Sequence, residues 1–113
     1  MTISKISELL EADILCCGGC SETEIISACG SDIMSDVLAF VKNQAALLTG
    51  LVNPQVVKTA EMMDMHCVVF VRNKIPSEEI VELAREAGIV LLATRLNMFE
   101  ACGRLYNNGL VGS

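Results

Sequence analysis

Residues 45–54 read Ala45-Ala46-Leu47-Leu48-Thr49-Gly50-Leu51-Val52-Asn53-Pro54. The first five are uncharged and form a short, almost wholly apolar strand that ends at Gly50. Asn53-Pro54 opens a helix. The asparagine caps it, and the proline takes the first helical position, where a missing N–H costs nothing. Val56, Val57, Ala60 and Met63 then share one side of a helix running to about Asp64. A strand without polar alternation is buried on both faces. When such strands alternate with capped helices, the sheet is mainly parallel and helices cover both of its sides.

The same alternation extends in both directions. Downstream, His66–Val71 is a β-prone strand and residues 73–76 form a loop. Ser77 caps a helix with Glu78 and Glu79 in its first turn, and Gly88 ends it. Ile89–Ala93 is the last strand, and Asn97 caps a final helix to about Asn108, stopped by Gly109. Upstream, a helix spans about Asp32 to Asn43 with Ile33, Val37, Phe40 and Val41 on its apolar stripe. Ala12–Cys17 reads as a buried strand closed by Gly18-Gly19. Thr2–Glu11 reads as a helix with Ile3, Ile6, Leu9 and Leu10 on one face. Residues 20–30 are ambiguous. Ser21 and Glu24 fit a capping box, but Glu24–Ala28 fits a strand ended by Cys29-Gly30, and the strand is the preferred reading. The expectation is one domain over residues 1–113, a three-layer α/β/α sandwich with a mainly parallel sheet.

Composition narrows the function. Half of the 113 residues are hydrophobic, so a core forms without metal or disulfide staples. The formal net charge is −6 and there is no basic run, which disfavours nucleic acid and acidic lipid surfaces as partners. No apolar run reaches the roughly 18–20 residues needed to span a bilayer, and Met1–Leu10 lacks the pattern of a secretory signal. The expected location is the cytoplasm, where the six cysteines stay reduced.

The sharpest local feature is Cys16-Cys17-Gly18-Gly19-Cys20. Cys17 and Cys20 form a CxxC pair, able to activate a thiol or to hold half of a metal site. A second pair is missing, because Cys29, Cys67 and Cys102 are isolated in sequence. Cys67 and Cys102 have apolar neighbours and read as core. No tryptophan or proline accompanies the CxxC, and Pro54 and Pro76 both precede helices, so a thioredoxin-like site is a poor match. His66 is the only histidine, and no nucleophile–base pair stands out. Asp32, Asp36, Glu61 and Asp64 read as solvated or dipole-facing helix residues, and the methionines as core.

Five segments carry a family resemblance in order: Ala12-Asp13-Ile14-Leu15-Cys16, Ser31-Asp32-Ile33-Met34-Ser35-Asp36-Val37, Leu48-Thr49-Gly50 before Asn53-Pro54, Pro76 opening an acidic helix, and Leu91-Leu92-Ala93-Thr94 followed by Met98-Phe99-Glu100-Ala101. From about Ile6 to Leu110 the chain resembles the DRTGG domain family. The resemblance implies a fold like the N-terminal domain of HPr kinase and a regulatory or structural role, often at a subunit interface. It implies no catalytic residue. Family domains accompany nucleotide-sensing CBS domains in some pyrophosphatases. This chain departs from the residues that name the family. The Asp-Arg pair falls near Val52-Asn53, and the Thr-Gly-Gly near Val71-Arg72-Asn73.

In open α/β sheets ligands sit beyond the carboxyl ends of the strands. That edge is expected to gather Gly18, Gly19, Thr49, Gly50, Asn53, Arg72, Asn73, Thr94 and Arg95, with the two arginines supplying local positive charge. The first functional reading is a non-catalytic regulatory module, a homodimer binding a nucleotide, another small anion or a partner protein there. The same residues also read as ordinary loops. The second reading is a redox or metal-binding protein that uses Cys17 and Cys20. No cofactor is named by the sequence.

Overall fold

The computed structural model describes residues 1–41 and 45–113. Among them the order is α1 (Ile3–Leu10), β1 (Asp13–Cys16), β2 (Ser27–Gly30), α2 (Met34–Phe40), β3 (Ala45–Thr49), α3 (Pro54–Met62), β4 (Cys67–Phe70), α4 (Glu78–Ala87), β5 (Val90–Ala93), α5 (Met98–Asn107) and β6 (Val111–Gly112). The strands form one sheet in the order β1-β5-β4-β3-β2-β6. All neighbours are parallel except β1, which runs antiparallel to β5.

The helices divide by face. Ala45 and Leu47 of β3, Val68 and Phe70 of β4, and Leu91 of β5 point into a core closed by Met34, Val37, Val56, Val57, Ala60, Ile80 and Ala84 of α2, α3 and α4. The alternate residues Ala46, Leu48, Cys67, Val69, Val90 and Leu92 point to the other side, against Ile3, Ile6 and Leu10 of α1 and Ala101 and Leu105 of α5. Every residue of β3, β4 and β5 is buried, as expected where helices cover both faces. Connection handedness explains the division. The chain steps from β2 through β3 and β4 to β5 in one direction, so right-handed crossovers put α2, α3 and α4 on one face. The return from β5 to β6 runs the opposite way, and its helix must lie on the other face.

The helix starts follow the sequence. Side chains of Thr2, Asn53, Ser77 and Asn97 accept the first free N–H groups of α1, α3, α4 and α5. Gly88 closes α4 in the left-handed region at φ 73°.

Four details differ from the sequence reading. β1 is not a buried inner strand but an edge strand in which only Cys16 is buried. A bulge between Ile14 and Cys16 turns Leu15 and Cys16 toward the same core. The strand preferred for residues 20–30 forms, but over Ser27–Gly30. Glu24 instead makes an isolated bridge with Thr2 and takes the terminal amine of Met1 at 2.8 Å, so it caps no helix. α2 begins two residues later than expected because the Asp32 carboxylate is engaged elsewhere and does not cap it. Its buried residues are Met34 and Val37, with Val41 following, while Ile33 and Phe40 face solvent. The expected end of this helix at Asn43 lies outside the described residues. β6 was not anticipated, since two exposed residues carry no strand pattern.

Phe70, fully buried at the centre of the sheet, sets a stability test. Phe70→Ala is expected to lower the unfolding free energy by about 3–5 kcal/mol. Met62→Ala, at a site 71% exposed, is expected to change it by less than about 0.5 kcal/mol. Urea unfolding followed by circular dichroism checks both.

Candidate functional site

At the carboxyl edge of the sheet, three groups converge on one carboxylate. Asp32, two residues beyond β2, receives the Gly50 N–H at 2.7 Å and the Thr49 hydroxyl at 3.1 Å, both on Oδ1. Its Oδ2 lies 3.8 Å from Nη2 of Arg72. The Arg72 guanidinium lies across Gly50 so closely that a Cβ there would stand 2.1 Å from Nη2. Thr49 is buried and its hydroxyl also accepts the Leu51 N–H at 3.1 Å, which fixes its orientation. Backbone N–H, hydroxyl and guanidinium aimed at one point are the donor set of a small-anion cradle.

The cradle forms because the strands put its parts side by side. β2 and β4 flank β3, so the residues after their ends bracket the end of β3. Arg72 is brought back over Gly50 by a bend in which Arg72 and Asn73 both have positive φ, 60° and 57°. Such angles are costly for residues with a Cβ. Backbone bonds hold the bend: Arg72 N–H to the Leu96 carbonyl at 2.8 Å and Asn73 N–H to the Thr94 carbonyl at 2.9 Å.

These two bonds also tie together the loops leaving β4 and β5. One loop goes to the face of α4 and the other to the face of α5, so the gap between them is the switch point where α/β sheets commonly bind ligands. Here it is laced shut, and the available donors lie one strand away, at β3.

The expected site residues therefore separate. Thr49, Gly50 and Arg72 come together. Asn53 lies close in sequence, but its side chain is occupied in capping α3, accepting the Gln55 N–H at 2.9 Å. Thr94 is buried, donating to the Leu10 carbonyl at 2.7 Å and accepting the Leu96 N–H at 3.2 Å. Arg95 lines a separate cavity of about 270 Å³ beside Glu11 and Asp13. Gly18 and Gly19 require correction. Because β1 is antiparallel, its carboxyl end meets the start of β5, where the Cys16 thiol lies 3.4 Å from the Ile89 carbonyl. The Gly18–Cys20 turn is thus at the opposite edge of the sheet. Asp32, the residue on which the cradle closes, was read as a helix-start carboxylate. The sequence carried no local signal for it, because only the parallel pairing of β2 with β3 sets Asp32 beside Thr49 and Gly50.

The cysteines offer no comparable arrangement. All six are free. Burial, reinforced by the neighbouring Cys16 and Cys20 thiols, pushes Cys17 up to about 11, the reverse of what a reactive thiol requires. Among the described residues no three His, Cys, Asp or Glu side chains are grouped to hold a metal. Cys67 is core as expected, but Cys102 is only half-buried and lines an open apolar groove of about 660 Å³ with Cys29, Met98, Phe99, Tyr106 and Val111. That groove has almost no polar group to recognise a charged ligand. The sequence reading gives Phe99 and Tyr106 no role, and nothing in their spacing shows that they stay exposed beside β2 and β6.

No family model matches this sequence, and no curated protein is similar to it. Among solved structures, the chain is similar to the CBS and DRTGG domains of the regulatory region of a Clostridium perfringens pyrophosphatase, crystallised with its activator, diadenosine tetraphosphate. The TM-score is 0.73 at 14% identity, over 92% of this chain and 45% of that one. The fold is DRTGG-like. In a DRTGG-like fold the bend at Arg72-Asn73 gains a physical reading. The family resemblance implies two glycines near these positions, where Arg72 and Asn73 carry the positive φ that glycine adopts without cost. In this chain the first of them supplies a guanidinium instead.

The thiol state is open to direct measurement. At pH 8, iodoacetamide is expected to label Cys17 roughly tenfold more slowly than an ordinary thiol, the greater nucleophilicity of its thiolate offsetting part of the lower thiolate fraction. The rate should climb about tenfold per pH unit up to pH 10, as more thiolate forms below the raised pKa. Peptide mass spectrometry after timed labelling reads both.

Proposed function

We propose that this DRTGG-like domain is a non-catalytic regulatory module that senses a nucleotide or other small anion at the carboxyl edge of its sheet, and that it works as a homodimer. The observation that carries this reading is the convergence of the Gly50 N–H, the Thr49 hydroxyl and the Arg72 guanidinium on one anionic group. On a protein of net charge −6, donors concentrated at one point select for a small anion there, not for an extended polyanion. The similar pyrophosphatase structure belongs to a regulatory region and holds a nucleotide activator, which supports the same class of role here.

A non-catalytic role is supported by the similar structure being a regulatory region of a pyrophosphatase. His66, the only imidazole in the sequence, is partly exposed and has the exposed Asp64 at 4.0 Å as its charged neighbour. Self-association is supported by the exposed Phe99, Tyr106 and Val111 along the groove of α5 and β6, since clustered apolar surface marks interaction sites. No helix among the described residues is long and apolar enough to cross a membrane.

Titration of ATP and of inorganic pyrophosphate into 15N-labelled protein tests the site. The Gly50 amide resonance is expected to shift with saturable dependence on either anion. Arg72→Ala is expected to weaken binding by at least about tenfold, the scale of a charge-assisted hydrogen bond. Gly50→Ala should act similarly, because its Cβ displaces the guanidinium. Shifts confined to Arg95 or to the Gly18–Cys20 turn would move the site elsewhere. Sedimentation equilibrium is expected to give twice the chain mass, and a monomer would remove the homodimer from the proposal.

A further inference from the structure

We infer that Asp32 is a built-in competitor of the anion, so that the cradle is closed on itself until a ligand displaces the carboxylate. The inference rests on the proposed anion-binding role of this edge and adds how that site is regulated.

Three observations lead to it. First, the Asp32 carboxylate uses the donors that a phosphate oxygen would use: one oxygen takes both the Gly50 N–H and the Thr49 hydroxyl, and the other faces Arg72. A ligand and Asp32 therefore cannot both satisfy these groups. Second, Asp32 is not needed where its position in the chain would otherwise place it. Asp32 stands one position before Ile33, the N-cap residue of α2, so its side chain has no capping role to fill there. Here α2 has no side-chain cap from its own N-cap residue, and the Ile33 N–H is instead taken by the Ser31 hydroxyl at 3.0 Å. The carboxylate has been turned across to the neighbouring strand. Third, the contact is made to open. The side chains of Asp32 and Arg72 are 50% and 53% exposed, so water can solvate both as they part. At 3.8 Å the ion pair is also looser than a bidentate one. The Gly50 N–H is the tight element, and it is the donor that any incoming oxyanion would inherit.

The segment from Ser31 to Ile33 joins β2 to α2, and the Ser31 N–H is tied to the Leu48 carbonyl at 3.0 Å. Release of Asp32 therefore frees a side chain and a short stretch of connection without unpairing β2 from β3. The response it transmits is local to the start of α2, beside the exposed Ile33.

The test measures inorganic pyrophosphate binding by calorimetry, with the Gly50 amide shift as the site marker. The proteins are wild type, Asp32→Ala, Asp32→Asn, the double variant Asp32→Ala/Arg72→Ala, and Glu86→Ala. The last removes one exposed negative charge from the far end of α4. Circular dichroism confirms that each is folded, and Asp32→Asn keeps an acceptor for Gly50 and Thr49 should the alanine variant lose structure. Asp32→Ala is expected to bind at least tenfold more tightly than wild type and Asp32→Asn by a smaller factor. The gain should be lost in the double variant and absent in Glu86→Ala. Equal binding by wild type and Asp32→Ala, with Gly50 shifting in both, would overturn the competitor and leave the anion site standing. A gain of the same size in Glu86→Ala would overturn it as well, by reducing the effect to net charge. Binding by none of the proteins would overturn both the competitor and the anion site.

Discussion

The constraint on which the rest depends is the right-handed crossover. A chain that builds β2, β3, β4 and β5 in one direction must lay α2, α3 and α4 on a single face, and the return to β6 must use the other. Two layers of helix then enclose the sheet, and β3, β4 and β5 have no solvent-facing side. This is why their sequences lack polar alternation. It is also why polar groups gather only beyond their ends, where the backbone leaves the ladder. The location of the site is thus a consequence of topology before any side chain is considered.

The same topology creates a switch point between β4 and β5, where the following loops part to opposite faces. The chain closes this gap with two backbone hydrogen bonds across Arg72, Asn73, Thr94 and Leu96. Those bonds hold two consecutive non-glycine residues at positive φ, at a cost of about 1–2 kcal/mol for Arg72 and less for Asn73, since asparagine tolerates this region. Glycine would adopt the same angles freely. A side chain at the first position has a consequence that glycine would lack: it carries a cation from the loop of β4 over Gly50 at the end of β3. Gly50 in turn permits this, since a Cβ would clash with the guanidinium. The absence of a side chain at one position and its presence at the other are coupled.

Much of the fold was legible. Ala45–Thr49, the Asn53-Pro54 cap, Ser77, Gly88 and Asn97 each stand where local chemistry put them, because caps and turns are decided within four residues. β1 was misplaced because periodicity reports burial and not strand direction. Ala12–Cys17 has the composition of an inner strand, and only its pairing with β5 shows it to be an antiparallel edge. That one error moved Gly18 and Gly19 to the wrong end of the sheet. Thr49, Gly50 and Arg72 were legible as strand-end residues, but Asp32 was not, because its partner lies 18 residues away through a parallel pairing. Asn53 and Thr94 were legible as polar residues at the correct edge, but a sequence does not reveal that their hydrogen bonds are already used.

Magnitudes decide what a carboxylate in the cradle means. An ion pair between half-exposed side chains contributes about 0.2–1 kcal/mol, and a hydrogen bond to a charged acceptor about 1.5–3 kcal/mol. Together these hold Asp32 in place by about 2–4 kcal/mol, an amount that a ligand with more charge and more acceptor oxygens can replace. The open form is then populated at the level of roughly 0.1 to 5 percent, and an anion's apparent affinity falls by that fraction. A phosphate brings more negative charge and more acceptor oxygens than a carboxylate, so it regains the Gly50 N–H and binds Arg72 more closely. The contact sets a concentration below which the edge stays self-satisfied, and it does so without a hinge, a lid or any change in the pairing of the sheet.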